Sequence, residues 1–570
     1  MEESEFIIIG EMTHRDQHHL RNLLIFIIIL IFTLSFLHFN KIQSYTKYER
    51  IQFESSGAIL YANLYYPSKA LDFQQQRPLV IYCHGIGSKR DFDLRIPIEF
   101  TKRGFYVVAL DYQGHGESGG NINNIDPITG IPALALDCSR LLDHLETLLF
   151  YSNVNISQIG LIGHSLGGMV VLMNQALDSR FKVTVALAPL VNFVPPKFGF
   201  IYNEDFIKYI PVNLLTEENT ENLLIIHHEN DEILDFTENA LKAQELTNCT
   251  LVRMSGFIIG GGHQLYSDEV MVNSINWFEI HFFGSSIING PIIITFYLNY
   301  ILIFINIIII FIMIISLISV SSQIFFRKKK SENSDSSKHD LLVRKSNKKK
   351  ESIKVILYSG TFLLNWLLFE RFFGIIGILY GSLSMIFMYA FIKIYIHLKK
   401  PKEVRNKYNL TKIIKMQLRL KYLVFTIVCV AYFIAVYMLF SFYYPFGFIW
   451  PSNFIEYFSL GYLVFPIFLS VELLLRKVIY PQLIYIKNKN RIIVITAIMI
   501  IISLMLLTQK LSFLPSVLFM YLIFLMVIIQ NTKILQNVNS FYIVIFTSFT
   551  IIQIFFATVL SNAIGVSIII

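Results

Sequence analysis

The chain has 570 residues, 54% of them hydrophobic, 15% aromatic and only 15% charged, a balance too apolar for an ordinary soluble protein and one that calls for a membrane region. Its net charge of +8 does not argue for nucleic acid, because the basic residues gather between apolar stretches, where cytoplasmic loops of membrane proteins carry them. The four cysteines, Cys83, Cys138, Cys249 and Cys429, show no C-x-x-C spacing and support neither a disulfide framework nor a thiolate metal site.

In chain order, residues 23 to 39, LLIFIIILIFTLSFLHF, lie behind Arg15 and Arg21 and are just long enough to cross a bilayer. Asn40-Lys41-Ile42-Gln43 follows without a small-x-small cleavage site, so 23–40 is expected to be an uncleaved anchor behind a cytoplasmic N-terminus at 1–22. Residues 41–285 change texture to short β-type runs alternating with helical patterns, which predicts an α/β domain. Ala58 to Tyr66 alternates as a strand. Leu79 to Cys83, Tyr106 to Leu110, Ile159 to Gly163, Val183 to Leu187, Leu223 to His227 and Thr250 to Met254 are short apolar runs suited to a sheet buried on both faces. Cys138, Leu141, Leu142, Leu145, Leu148 and Leu149 recur at helical spacing as one stripe to cover that sheet.

From 286 to 570 the apolar texture returns. Spans are expected near 291–320, 354–369, 372–394, 422–444, 455–475, 492–509, 514–530 and 541–563, an all-α polytopic transmembrane domain of about eight helices. The basic breaks Arg327 to Lys354, Lys399 to Lys421 and Arg476 to Arg491 belong in the cytoplasm, which leaves the N-terminus inside and both the α/β domain and the C-terminus outside. The 327–354 loop holds eleven lysines and arginines and reads as a disordered cytoplasmic segment facing anionic lipid head groups. Two acceptor sequons, Asn155-Ile156-Ser157 and Asn248-Cys249-Thr250, fall in the exported domain. Ionisable residues are few in and beside the spans, Glu370, Arg371, Glu456, Glu472 and Arg476 among them, which gives ion-coupled transport little to work with.

The chemistry gathers on Ile159-Gly160-Leu161-Ile162-Gly163-His164-Ser165-Leu166-Gly167-Gly168. A serine between glycines at plus and minus two lets a strand turn sharply into a helix, because side chains there would collide where the two elements pack. The turn lifts the hydroxyl into the open beside backbone N–H groups, as nucleophilic catalysis needs.

Upstream stand His84-Gly85-Ile86-Gly87, at the end of an apolar run, and Asp111-Tyr112-Gln113-Gly114-His115-Gly116-Glu117-Ser118-Gly119-Gly120. With GHSLGG, in this order and spacing, they resemble the α/β-hydrolase superfamily, in particular its monoacylglycerol lipase and serine aminopeptidase-like branch, over roughly residues 50 to 283. The resemblance implies an α/β-hydrolase fold with a mostly parallel, doubly wound sheet, and a serine, acid, histidine order along the chain. Ser165 is then the nucleophile, and the N–H groups of Ile86 and Leu166 form the oxyanion hole. Leu223 to Leu234 resembles the family's strand followed by HG-x-x-D, which maps the acid onto Asp231. His228 stands where the family usually has glycine, and Glu229 or Glu232 stays open as the acid. His263, on the Gly260-Gly261-Gly262 run before a helix, is the base. Asp111 and His115 are read as turn-shaping residues, and His227 and His228 as strand-end histidines. Asn192 to Asn222 lies where the family inserts its cap; its aromatics form either an acyl-binding wall or a cover for the sheet edge.

The expectation is a membrane-integral serine hydrolase that cleaves an ester, thioester or amide, with a lipid-like or acyl substrate favoured. No cofactor and no metal are expected. Within enzymes, a peptidase or acyltransferase is the alternative. Outside them it is a sensor or transporter whose hydrolase-like domain only binds ligand.

Overall fold

The computed structural model describes residues 14–67, 76–90, 93–256, 258, 262–285 and 290–326. Beyond these it describes 364, 368, 375–399, 420–443, 454–480, 492–499, 515–538 and 540–555. The chain divides into two compact units, one built mainly on residues 32–305 and the other mainly on 1–31 and 306–560.

The first unit contains a sheet of eight strands: β1 (Tyr45–Ser55), β2 (Ala58–Pro67), β3 (Arg77–Cys83), β4 (Tyr106–Asp111), β5 (Val154–His164), β6 (Val183–Leu187), β7 (Leu223–His228) and β8 (Thr250–Met254). Their order is β1-β2-β4-β3-β5-β6-β7-β8. The β1–β2 and β2–β4 pairs are antiparallel and the other five pairs are parallel. The apolar runs expected as strands all lie in this sheet. The sequence reading missed β1, although Ile51, Phe53 and Ser55 point inward while Arg50, Gln52 and Glu54 stay exposed, the period of two that marks a half-buried strand.

Helices cover both faces. Following a 31-residue α1 (His14–Ser44), they are α2 (Arg95–Lys102), α3 (Asp137–Glu146), α4 (Leu166–Leu177), the short α5 (Glu204–Ile207) and α6 (Pro211–Leu214), α7 (Lys242–Thr247) and α8 (Asp268–Phe283). Alternation along β3 sends its residues to opposite cores. Leu79, Ile81 and Cys83 pack with Leu141, Leu142 and Leu145 of α3 and Met169 and Met173 of α4. Val80 and Tyr82 pack with Ile96 and Phe100 of α2 and with Met271, Ile275 and Phe278 of α8. The stripe on α3 is shorter than its periodicity predicts. The helix stops at Glu146, so Leu149 is 97% exposed and Phe150 turns inward in its place. The Cys83 and Cys138 sulfurs are buried and lie 3.5 Å apart as free thiols.

α9 (Phe296–Phe325), which belongs to the second unit from Asn306 onward, and the helices at Ile375–Leu398, Leu420–Tyr443, Phe454–Leu473, Pro515–Asn537 and Phe541–Phe555 fall on stretches expected to be spans. Taken over the described residues, no helix is long and apolar enough to cross a membrane, so the crossings rest on the amino-acid sequence alone. Most of the expected 354–369 span, the second half of 492–509 and the 327–354 loop lie outside the described residues. Within the unit, Glu472 accepts from Arg476 Nε at 3.0 Å and from Asn531 at 3.1 Å, while Arg476 also donates to Thr532 at 2.7 Å. This buried, mutually satisfied set is the local pairing that makes an apolar environment tolerable for charge.

Candidate active site

Residues from the carboxyl ends of β3, β5, β7 and β8 meet where ligands bind in sheets of this kind. Ser165 joins β5 to α4 with φ 56° and ψ −117°, a strained conformation for a residue with a Cβ and one that turns its side chain away from both elements. Packing enforces it. A Cβ on Gly163 would strike the Gly167 backbone, and one on Gly167 would strike the carbonyls of Cys83 and His84. The Ser165 N–H donates to Leu187 O at 2.9 Å, and its carbonyl accepts from Met169 and Leu190.

The loop after β8 brings His263 to this serine. Its Nε2 lies 3.0 Å from Ser165 Oγ, and its Nδ1 lies 2.8 Å from Asp231 Oδ2. A carboxylate only accepts, so Nδ1 carries the hydrogen and Nε2 is free to take the serine proton. The Asp231 carboxylate is fully ligated. Oδ1 accepts from the Ile233 and Leu234 N–H groups at 2.8 and 2.9 Å, and Oδ2 also faces His227 Nε2 at 3.0 Å. Burial alone would raise its pKa, but hydrogen bonds from His227 and His263 hold it well below the usual carboxylate range. The two residues left open as the acid stand elsewhere. Glu232 accepts the backbone N–H of His263 at 3.2 Å, and Glu229 is exposed.

Three further contacts hold His263 and its loop. His164 donates its Nε2–H to the His263 carbonyl at 2.8 Å, and burial drives its own pKa down to about 3, so it stays neutral. Arg95 donates to Leu265 O at 2.8 Å. His228 accepts the Asn230 N–H at 3.0 Å and donates to Gly256 O at 2.9 Å, with its ring packed against Gly262. Sequence reasoning missed all three. Only for His164, inside the G-x-S-x-G pattern, did a local signal exist.

On the other side of the serine, a Cβ on Gly85 would lie 3.5 Å from the Ser165 Cβ and 3.0 Å from His164 Nδ1, so the backbone leading to Ile86 passes directly beside Ser165. Leu166 opens α4, and its N–H is among the first four of the helix, which have no partner within it. The segment around Gly85 is pinned from behind. Tyr112 donates its hydroxyl to His84 O at 2.7 Å, His84 Nε2 faces Asp111 Oδ1 at 3.3 Å, and the Arg90 N–H donates to the same oxygen at 2.6 Å. The Arg90 guanidinium also pairs with Asp111 and Glu117. Burial works against ionisation of Asp111, but Arg90 outweighs it and keeps the carboxyl well below its ordinary range. His115 is buried behind His84, with its pKa lowered to about 3 by burial and by that neighbour. Asp111 and His115 thus stand behind the site.

In the cap, Phe200 and Phe206 stack on each other and sink into the main core, whereas Ile201 and Tyr202 face outward. Most of the aromatic mass covers the sheet. Among the described residues, no group of three or more His, Cys, Asp or Glu side chains could hold a metal ion.

The family described as Serine aminopeptidase, S33 matches residues 74–223. The platelet-activating factor acetylhydrolase of Cavia porcellus is 24% identical over 198 residues, 26% of this chain and 45% of that protein. A thiohydrolase of Eupenicillium brefeldianum is 27% identical over 149 residues, 26% of this chain and 44% of that protein. The chain therefore spans less than half the length of each of these relatives. Among solved structures, acetyl xylan esterase 1 from Thermoanaerobacterium is similar at 18% identity and a TM-score of 0.31, over 44% of this chain and 93% of that one.

Proposed function

We propose that this α/β-hydrolase enzyme is a membrane-integral serine hydrolase that cleaves an acyl or lipid-like ester, thioester or amide through an acyl-enzyme. The observation that carries the reading is the unbroken chain of hydrogen bonds from Ser165 Oγ through His263 to Asp231, at 3.0 and 2.8 Å. Ser165 attacks the carbonyl as His263 Nε2 takes its proton, and the N–H groups of Ile86 and Leu166 receive the oxyanion. His263 then protonates the leaving group. Water repeats the sequence on the acyl-serine. Asp231, held ionised, keeps Nδ1–H in place and stabilises the imidazolium. Names such as acetylhydrolase and thiohydrolase among the relatives favour acyl esters and thioesters.

A fluorophosphonate probe tests the chemistry. The full chain should be labelled, and Ser165→Ala should abolish both labelling and turnover, the latter by on the order of 10⁴ or more. Undiminished labelling of that variant would overturn the assignment.

The same reading puts the α/β domain on the extracytoplasmic face. Its support is the charge pattern: translocating eleven basic residues of the 327–354 loop would cost several kcal/mol or more for each charge passing the bilayer. In intact cells an impermeant reagent should modify a tag placed near Asn155 and spare one near Ser336. The reverse pattern would move the active site to the cytoplasm.

A further inference from the structure

The buried histidine at the end of β7 has no part in the steps above, yet it touches the acid. His227 is fully buried, and its Nε2 lies 3.0 Å from Asp231 Oδ2 and 3.3 Å from Leu234 O. Both are acceptors, so Nε2 carries a hydrogen. Nδ1 is buried with no hydrogen-bond partner among the described residues. A second proton there would bury an unpaired N–H, so the ring is a neutral Nε2–H donor.

Asp231 Oδ2 thus receives two imidazole N–H groups, one from each side, while the turn's backbone fixes Oδ1. The contribution of His227 differs in kind from that of His263. The base arrives on the loop after β8, but His227 belongs to the strand that leads into the acid's own turn, four residues away. It can therefore aim Oδ2 whether or not the base is in place. Across β7 and β8, His227 is paired with Arg253, whose guanidinium sits 5.7 Å from the Phe236 ring centroid. Phe236 meets the His227 ring edge-on at 5.6 Å, so aromatic packing fixes the histidine's plane as well as its position.

We propose that His227 is a positioning residue that orients the acid: its Nε2–H sets the Asp231 carboxylate at the angle from which Oδ2 meets His263 Nδ1. The inference rests on the triad reading above and extends it to a fourth side chain. A misaimed carboxylate of this kind lowers the rate of the chemical step and leaves the ligand's own binding contacts in place.

The test uses the geometry of amides. A glutamine amide nitrogen lies as many bonds from Cα as histidine Nε2, and an asparagine amide as many as Nδ1. In the full-length, detergent-solubilised protein, fluorophosphonate kinetics would be split into kinact and KI. His227→Leu and His227→Asn should lower kinact on the order of 10²-fold with KI unchanged, and His227→Gln should recover most of the loss. In an Asp231→Ala background, His227→Leu should add no further loss, because the group it orients is gone. The proposal is overturned if His227→Leu labels within twofold of wild type, if the loss lies in KI, or if Gln and Asn behave alike. Should the leucine variant fail to fold, the Gln and Asn pair decides alone. Ser165→Ala, run alongside, separates this inference from the triad itself: if that variant still labels, the triad reading has failed, whereas lost labelling with a wild-type His227→Leu sinks only the role of His227.

Discussion

Two buried aspartates in this domain each face a histidine, and only one of the histidines turns its other nitrogen to a serine hydroxyl. Asp111 faces His84 at 3.3 Å, but it also accepts the Arg90 N–H and the Arg90 guanidinium, while His84 Nδ1 is spent on Gly85 O at 2.9 Å. Asp231 faces His263 at 2.8 Å, takes only neutral donors otherwise, and the far nitrogen of its histidine is directed at Ser165. A cation neutralises the first carboxylate, which becomes a strut behind the segment around Gly85. The second has no cation beside it, which in the proposed mechanism leaves its charge for the imidazolium. Burial next to a histidine thus does not by itself fit an aspartate for catalysis; what counts is where its charge is left to act.

Removing each carboxylate sharpens the contrast. Asp231→Asn should lower turnover on the order of 10⁴-fold while leaving the fold intact, because it puts the base in the wrong tautomer. Asp111→Asn should do the opposite. With Arg90 buried and missing its main counter-charge, stability should fall by about 3–5 kcal/mol, a drop in thermal midpoint on the order of 10 °C, with a far smaller change in the rate of the molecules that remain folded. Equal losses of rate in the two variants would erase the distinction.

A smaller effect probes a third buried carboxylate. Asp137 accepts from Ser55 and Gln113 without a cation, and burial raises its pKa to about 6. A folded-state value above the unfolded one of about 3.9 means its contribution to stability is complete below that unfolded value and is lost as pH rises through about 6. Asp137→Asn should therefore flatten the decline in unfolding free energy between pH 4.5 and 6.5, measured by urea denaturation. An unchanged slope would show that Asp137 is not the group that titrates there.

The sheet was legible because strands buried on both faces must be apolar throughout, and Leu79 to Cys83 or Val183 to Leu187 have few other uses. The serine turn was legible for a steric reason, since Gly163 and Gly167 leave no room for a side chain. The supports of the base were not. His164, His227 and His228 act through contacts that exist only once the turns and loops have folded around them, and a histidine at a strand end reads the same whether it aims a carboxylate or merely fills space. The overextended α3 stripe has a similar cause: periodicity continues through Leu148 and Leu149, whereas the chain turns away at Thr147. Helix patterns report which residues would share a face, and tertiary packing decides where the face ends.

The spacing of the three hydrogen-bonded residues has a consequence during synthesis. Ser165 precedes His263 by 98 residues, and Asp231 precedes it by 32. At about 5–20 residues per second, the serine leaves the ribosome roughly 5–20 s before the residue that can activate it. The parallel pairs on either side of β5 can close once β6 has emerged, but the pair that leads to the His263 loop waits for β8. In the proposed mechanism a nascent chain would therefore carry an inert hydroxyl until the last loop of the domain brings His263 to it.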